Sequence, residues 1–191
     1  LLNFCTVDLS AFYFDIRKDS LYCDDKESPK RKSIIKVLNV VLNVLIKWFA
    51  PILSFTTEEI YKLLIKNQKS IHLEKFLEIP NKFKNVNINE KWEELIKIRN
   101  ICNVSIEEKR ASKEIGSSLE ADLKIQINKK MKLILENIDF SELCITSKAK
   151  VDFKEDIETT ATTSKANGSK CPICWKITEE PCERGHCPRS A

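Results

Sequence analysis

The sequence predicts a mainly α-helical protein, in which a helical bundle is followed by a small α/β unit and a cysteine-rich tail. Only three glycines occur among the 191 residues, and the first is Gly116. So long a stretch without glycine favours long helices over a turn-rich β fold. After Gly116 the apolar residues change from helical spacing to alternation. Four of the eight cysteines lie beyond residue 170.

Two stretches near the N-terminus have the apolar pattern of helices. A first helix is predicted from four apolar residues at helical spacing: Phe4, Val7, Ala11 and Phe14. Ile34–Phe49 is strongly apolar, but polar residues recur along one side of it. This pattern indicates a helix that is buried on most of its circumference rather than a membrane span. Pro51 is expected to end the helix.

Two further helices are predicted before Gly116. Thr56 and Glu59 fit a capping box at a helix start, after which the core would be faced by Ile60, Leu63 and Leu64. A loop-rich stretch over 67–89 precedes a long helix that runs to about Lys113. One face of this helix is predicted to carry six of its residues: Trp92, Leu95, Ile96, Arg99, Cys102 and Ile106.

The region after Gly116 reads as a strand–helix–strand unit. Leu123, Ile125 and Ile127 alternate with polar residues, which predicts a β-strand. A short helix is predicted over 129–138. Further short strands are predicted near three apolar residues: Leu143, Ile145 and Val151.

Four segments are therefore expected along the chain. Residues 156–170 are rich in Thr, Ser, Ala and Asn and lack apolar periodicity, which is typical of a flexible linker. The expected segments are a helical domain over 1–115, an α/β unit over 116–155, the linker over 156–170 and the tail over 171–191.

The formal net charge of +4 is small, but the charges are unevenly distributed. Ser28–Thr57 contains no acidic residue. The same stretch contains five basic residues: Lys30, Arg31, Lys32, Lys36 and Lys47. Such a stretch favours a phosphate-bearing partner, although a solvated helix end in a lysine-rich chain has the same composition.

The tail has the cysteine spacing of a metal site. Two residues separate Cys171 from Cys174, so both thiolates can bind one ion from a tight turn. Cys182 and either Cys187 or His186 would complete a tetrahedron, and we favour Cys187. Four thiolates suit zinc. The tail has too few apolar residues to fold without the ion.

The other four cysteines are isolated, and we expect them to be reduced and to act as small hydrophobic residues: Cys5, Cys23, Cys102 and Cys144. Leu1–Asp8 lacks the pattern of a secretory signal, which favours metal binding over disulfides and predicts a cytoplasmic protein. Because the chain starts at Leu1 rather than methionine, we expect it to be a fragment.

Five separated stretches resemble the isoleucine–tRNA ligases, class I aminoacyl-tRNA synthetases, and they occur in that family's order. The stretches are Asp8–Asp24, Trp48–Glu59, Trp92–Arg99, Lys113–Ala121 and Cys171–Trp175. One departure is the second cysteine pair, where four residues lie between Cys182 and Cys187 and the family usually has two between the thiols.

The resemblance implies a helical anticodon-binding domain that binds and positions tRNA(Ile), with a zinc module at its C-terminal end. It also implies a parent enzyme that uses ATP to activate isoleucine before transfer to the tRNA 3′ end. The catalytic and editing domains are not in these 191 residues. We therefore expect no catalytic residue here and no aminoacylation by the fragment alone. A cytoplasmic monomer without membrane contact is expected.

Seven residues are candidate tRNA contacts, because lysine and arginine neutralise phosphates and aromatic side chains stack on unpaired bases. They are Arg17, Lys18, Lys30, Arg31, Lys32, Arg99 and Trp175. Trp175 is otherwise expected to cover the metal site. Two other assignments remain open: a sister synthetase specific for valine or leucine, and a non-enzymatic RNA-binding adaptor with a zinc knuckle.

Overall fold

The computed structural model describes residues 1–65, 69–78, 81, 86–180, 187 and 189. The chain forms two compact units. The smaller unit is Lys26–Lys84, and the larger unit combines Leu1–Asp25 with Asn85–Ala191. The protein is mainly helical with a small sheet after the long helices, which confirms the predicted fold class.

The smaller unit contains helix α2 (Pro29–Phe49), helix α3 (Ser54–Ile65) and a 3-10 turn at Ile71–Leu73. Helix α2 begins with a proline at its first turn, where the missing N–H costs nothing, and it ends just before Pro51 as predicted. A small core forms from four residues: Ile46, Ala50, Tyr61 and Ile71.

Helix α2 is much more exposed within its unit than the sequence indicated. Ile34 and Ile46 are its only buried residues, whereas Val37 and Val40 are 44% and 53% exposed. The prediction of a helix buried on most of its circumference is therefore wrong for this unit. In the described part of the chain, no helix combines the length and the apolar character that crossing a membrane would require.

The start and the buried face of helix α3 also differ from prediction. The helix begins at Ser54, so Thr56 lies inside it and cannot form the expected capping box with Glu59. Thr57 is the buried hydroxyl and donates to the carbonyl of Leu53 at 2.9 Å. Helical periodicity places Tyr61 in the core, and it leaves two leucines that were predicted to be buried largely exposed: Leu63 and Leu64.

Glu58 ties helix α3 to the turn at Ile71–Leu73. Its carboxylate accepts hydrogen bonds from the N–H of Ile71 at 2.8 Å and from the hydroxyl of Ser70 at 2.9 Å. Lys62 lies 3.0 Å away. The Ile71 N–H, with Lys62 and Ser70, lowers the pKa of Glu58 to about 2. The carboxylate therefore stabilises this unit in its charged form.

This lowered pKa predicts acid sensitivity of the smaller unit. The stabilisation is complete above the ordinary carboxyl pKa of 4.5 and is lost as pH falls toward about 2. Glu58→Gln should therefore flatten the dependence of unfolding free energy on pH below 4.5, as measured by urea unfolding. Glu59→Gln, a neighbouring exposed carboxylate, should keep the wild-type profile. Identical profiles for both variants would contradict the assigned role.

The larger unit is built on a three-stranded sheet in the order β2-β1-β3. Its strands are β1 (Ala121–Asn128), β2 (Lys148–Lys154) and β3 (Thr160–Lys165). Strand β1 pairs in parallel with β2 and antiparallel with β3. Buried and less buried residues alternate along β1, which confirms the strand predicted from Leu123, Ile125 and Ile127.

Helices pack on one face of this sheet. A π-helical segment at Phe4–Phe14 continues into helix α1 (Asp15–Cys23), and helix α4 spans Val86–Ala111. Four residues of α4 are buried in the core that it shares with the sheet: Leu95, Ile98, Cys102 and Ile106. Ile96, predicted on the same face, is 43% exposed because it lies about a quarter turn from Leu95.

Several expectations after Gly116 need correction. Leu143 ends a short helix, α6 (Phe140–Leu143), and Ile145 has a positive φ of 56°, so neither lies in a strand. The predicted helix over 129–138 is shorter, with a 3-10 turn at Lys129–Met131 and helix α5 at Lys132–Leu135. Val151 lies in β2, as predicted.

The expected flexible linker over 156–170 contains strand β3, so that prediction is wrong for Thr160–Lys165. Its small side chains fit against helix α4: Thr163 is buried and shares a 2.9 Å hydrogen bond with Ser105. The strand also satisfies the backbone groups along one edge of β1. Helices α1 and α4 share one core with the sheet. The boundaries of the two compact units therefore do not coincide with those of the four expected segments.

Candidate functional site

Three tail cysteines form a buried cluster. The Sγ atoms of Cys171, Cys174 and Cys187 all lie within 4.8 Å of one another. The backbone N–H groups of Ile173 and Cys174 point at the Cys171 sulfur, at 3.4 and 3.5 Å. Such bonds favour a thiolate, the form that binds metal. The structure thus brings together three of the residues predicted to bind zinc.

A short hairpin presents the first two cysteines. Strands β4 (Ser169–Lys170) and β5 (Ile177–Thr178) pair antiparallel, and the Cys171 N–H donates to the Lys176 carbonyl at 2.8 Å. Gly168 has a φ of +134°, and a side chain there would collide with the Thr178 backbone. The other two candidate ligands, Cys182 and His186, lie outside the described residues.

Cys23, expected to be an isolated hydrophobic residue, packs against the cysteine cluster instead. It is 8% exposed and belongs to the same buried group as the three tail cysteines. Burial and the neighbouring Asp19 raise the pKa of Cys23 to about 11. Cys23 therefore covers the cluster from helix α1.

Arg189 fastens the tail to the end of helix α1. Its guanidinium lies 2.7 Å from Asp19 and 2.7 Å from Asp24, and the Asp25 N–H donates to its carbonyl at 2.8 Å. All three charged side chains are mostly shielded from solvent, which strengthens ion pairing. The cysteine cluster and α1 are therefore one packed assembly.

Beside this assembly lies a groove of about 550 Å³, which we call the Trp175 groove. It is lined by Asp15, Lys18, the segment 116–120, Ile145, Lys170 and Trp175. The Trp175 ring is 60% exposed, and the Lys170 ammonium lies 5.5 Å from its centroid. Most of the Trp175 side chain is therefore open to solvent, and one cation already lies over its ring.

The two predicted arginines outside the basic cluster make contacts within the protein. Arg17 pairs with Glu142 at 2.8 Å. The Arg99 side chain donates to the Leu143 carbonyl at 2.9 Å and lies over the Phe12 ring. These contacts give both residues a structural role in the larger unit.

The predicted lysines lie in different units. Lys18 lies in the Trp175 groove, where its side chain is 60% exposed and its ammonium pairs with Asp15 at 2.7 Å. Lys30 and Lys32 are exposed and Arg31 is half-buried at the start of helix α2 in the smaller unit, where Lys32 pairs with Glu27.

Sequence reasoning missed the roles of Cys23 and Lys170. Nothing in the spacing of Cys23 relates it to the tail, because the two meet only through the fold. Lys170 directly precedes the Cys171–Trp175 motif, so its position was the available signal. An exposed ring beside basic side chains is the arrangement that nucleic-acid-binding modules use.

Comparisons with known proteins agree with a nucleic-acid-binding module. Residues 1–127 match the family described as the anticodon-binding domain of tRNA ligase. The chain is 63% identical over 184 residues to an isoleucine–tRNA ligase of Pelagibacter ubique, covering 96% of this chain and 20% of that protein. Isoleucine–tRNA ligases of Bartonella henselae and Agrobacterium fabrum are 38% and 39% identical over 191 residues, 94% of this chain and 20% of each relative.

The chain therefore belongs to the family of anticodon-binding domains of tRNA ligases. It spans about a fifth of the length of the curated relatives that it matches.

Proposed function

We propose that this chain is the tRNA-binding C-terminal part of an isoleucine–tRNA ligase. The whole enzyme would react isoleucine with ATP to form isoleucyl-adenylate and pyrophosphate, and would then transfer the aminoacyl group to the 3′ end of tRNA(Ile) with release of AMP. This part would bind and position the tRNA, and it would take no part in the bond-making steps. The names of the relatives favour isoleucine over valine or leucine, and they favour a synthetase over a free-standing adaptor.

The observation that carries the proposal is the Trp175 groove in a chain of this family. An exposed ring offers a stacking surface for an unpaired base, and Lys18 and Lys170 offer positive charge to the adjoining phosphates. The basic cluster of Lys30, Arg31 and Lys32, on the smaller unit, is a second proposed contact with phosphate. We further propose that the enzyme is a monomer in the cytoplasm.

The cysteine cluster fits zinc, and we propose that it holds one ion. Buried thiols with converging sulfur atoms are the donor set that zinc prefers at structural sites. Cys171, Cys174 and Cys187 would supply three ligands, and Cys182 would supply the fourth. The ion would hold the hairpin that carries Lys170 and Trp175, so its role here is to shape the groove.

Trp175→Ala in the full-length enzyme tests the proposal. Losing one base-stacking contact of about 1–3 kcal/mol should weaken tRNA(Ile) binding by roughly 5- to 150-fold. Filter binding would measure the Kd. The rate of isoleucine-dependent ATP–pyrophosphate exchange should not change, because that reaction needs no tRNA.

Two variants control this measurement. Trp175→Phe should keep most of the binding, because a phenyl ring also stacks. Tyr22→Ala removes another exposed aromatic ring of the larger unit, 84% exposed, and should have little effect. Equal loss of tRNA binding and of adenylate formation in Trp175→Ala would contradict a tRNA-positioning role.

A further inference from the structure

The face of the sheet opposite helix α4 is polar and open. Side chains alternate across a strand, so the residues of β1 between its buried positions point to this second face. Register then assigns their neighbours on β2 and β3 to the same face. The open face consists of eleven residues: Asp122, Lys124, Gln126, Asn128, Lys148, Lys150, Asp152, Lys154, Thr160, Thr162 and Ser164.

Lysines outnumber acidic side chains on the open face by four to two. Lys124, Lys150 and Lys154 are exposed, and in the described part of the chain none of the three forms an ion pair. Lys148 pairs with Glu179. Two acids lie on the same face, Asp122 opposite Lys148 and Asp152 opposite Gln126, so lysine remains in excess.

The pair Lys124 and Lys150 points most directly to a ligand. They are register partners on adjacent parallel strands, so their side chains leave the sheet side by side. Like charges on neighbouring side chains repel each other. A bound anion would relieve this repulsion and turn the pair into a stabilising contact.

We propose that the open face binds the phosphate backbone of the tRNA, which rests on the proposed function and adds a second surface to it. Lysines neutralise phosphates, while the amide of Gln126 and the hydroxyl of Thr162 can bond phosphate or 2′-hydroxyl oxygens. The face has no aromatic ring for stacking, so it fixes position without reading bases. It also lacks the apolar residues with which a membrane-binding surface inserts.

The test combines Lys124→Gln with Lys150→Gln in the full-length enzyme and measures the Kd for tRNA(Ile) over a range of salt concentrations. Loss of two phosphate contacts should lower the slope of log affinity against log salt by about 1.4 to 1.8. The melting temperature should stay equal or rise, because the variant removes a like-charge pair. Reduced binding therefore cannot be attributed to unfolding.

The matched control is Lys97→Gln with Lys109→Gln. It removes the same charge from helix α4, on the other side of the sheet, where both lysines are already paired with glutamates. The control should keep the wild-type slope. An equal fall in both double variants would show only a long-range effect of net charge and would overturn the proposal, as would an unchanged slope in Lys124→Gln with Lys150→Gln.

The same titrations separate this proposal from the proposed function. If wild-type enzyme binds tRNA(Ile) and Trp175→Ala weakens binding while the lysine variant does not, only the open face is refuted. If wild-type enzyme shows no salt-dependent binding of tRNA(Ile), the proposed function itself is wrong.

Discussion

Cys174→Ser should release zinc and loosen both the tail and the end of helix α1. The Cys174 sulfur is one of three that converge in the buried cluster, and structural zinc sites in small modules supply much of their folding free energy. Cys23 packs on the same cluster and Arg189 joins the tail to Asp19 and Asp24. Amide hydrogen exchange should therefore quicken at the β4–β5 hairpin and at the end of α1, while the smaller unit keeps its protection.

Zinc stoichiometry of the purified, reduced protein, measured by atomic absorption, checks the first half of this prediction. Cys5→Ser, a substitution outside the cluster, should keep one zinc per chain. Loss of zinc without any change at α1 would show that the tail is uncoupled, as a flexible linker would allow. Retention of zinc by Cys174→Ser would refute the site. Cys182→Ser and His186→Ala then identify the remaining ligand, because only one of them should lose the metal.

Ile125→Ala should destabilise the whole larger unit by about 2–5 kcal/mol, because it leaves a cavity in the central strand. Ile125 is fully buried between its strand partners and helix α4. Urea unfolding measures the loss, and hydrogen exchange should show that α4 and β1 lose protection together. Gln126→Ala, on the opposite face of the same strand, should cost far less.

A helix α4 that keeps its protection in Ile125→Ala would contradict the shared core. It would instead support the boundary at residues 115 and 116 that the sequence indicated. The result therefore distinguishes one cooperative unit from two separate ones.

An element could be predicted from the sequence where one of its faces is buried, because the spacing of its apolar residues then shows its secondary structure. Strand β1 is an example, because one face is fully buried and period-two alternation follows directly. The Cys171–Cys174 turn is another, because its geometry is local. Helix α4 was predicted for the same reason, although its buried face was misjudged at Ile96.

Features that depend on distant partners could not be predicted. Strand β3 places only Ala161 and Thr163 toward the core, so its composition resembles that of a linker. Its strand conformation depends on pairing with β1, which the local sequence does not show. Cys23 and Arg189 acquire their roles only when the two ends of the chain meet. The Trp175 groove likewise combines four separate stretches of sequence.

The division of the chain into units also constrains how it folds during synthesis. The smaller unit is inserted between the two segments that make the larger one. A ribosome therefore completes Lys26–Lys84 while helix α1, already made, still lacks α4 and the sheet. At a synthesis rate of about 5–20 residues per second, several seconds pass between the synthesis of α1 and that of its packing partners. During that interval Ile16 and Cys23 lack the partners that bury them in the finished protein.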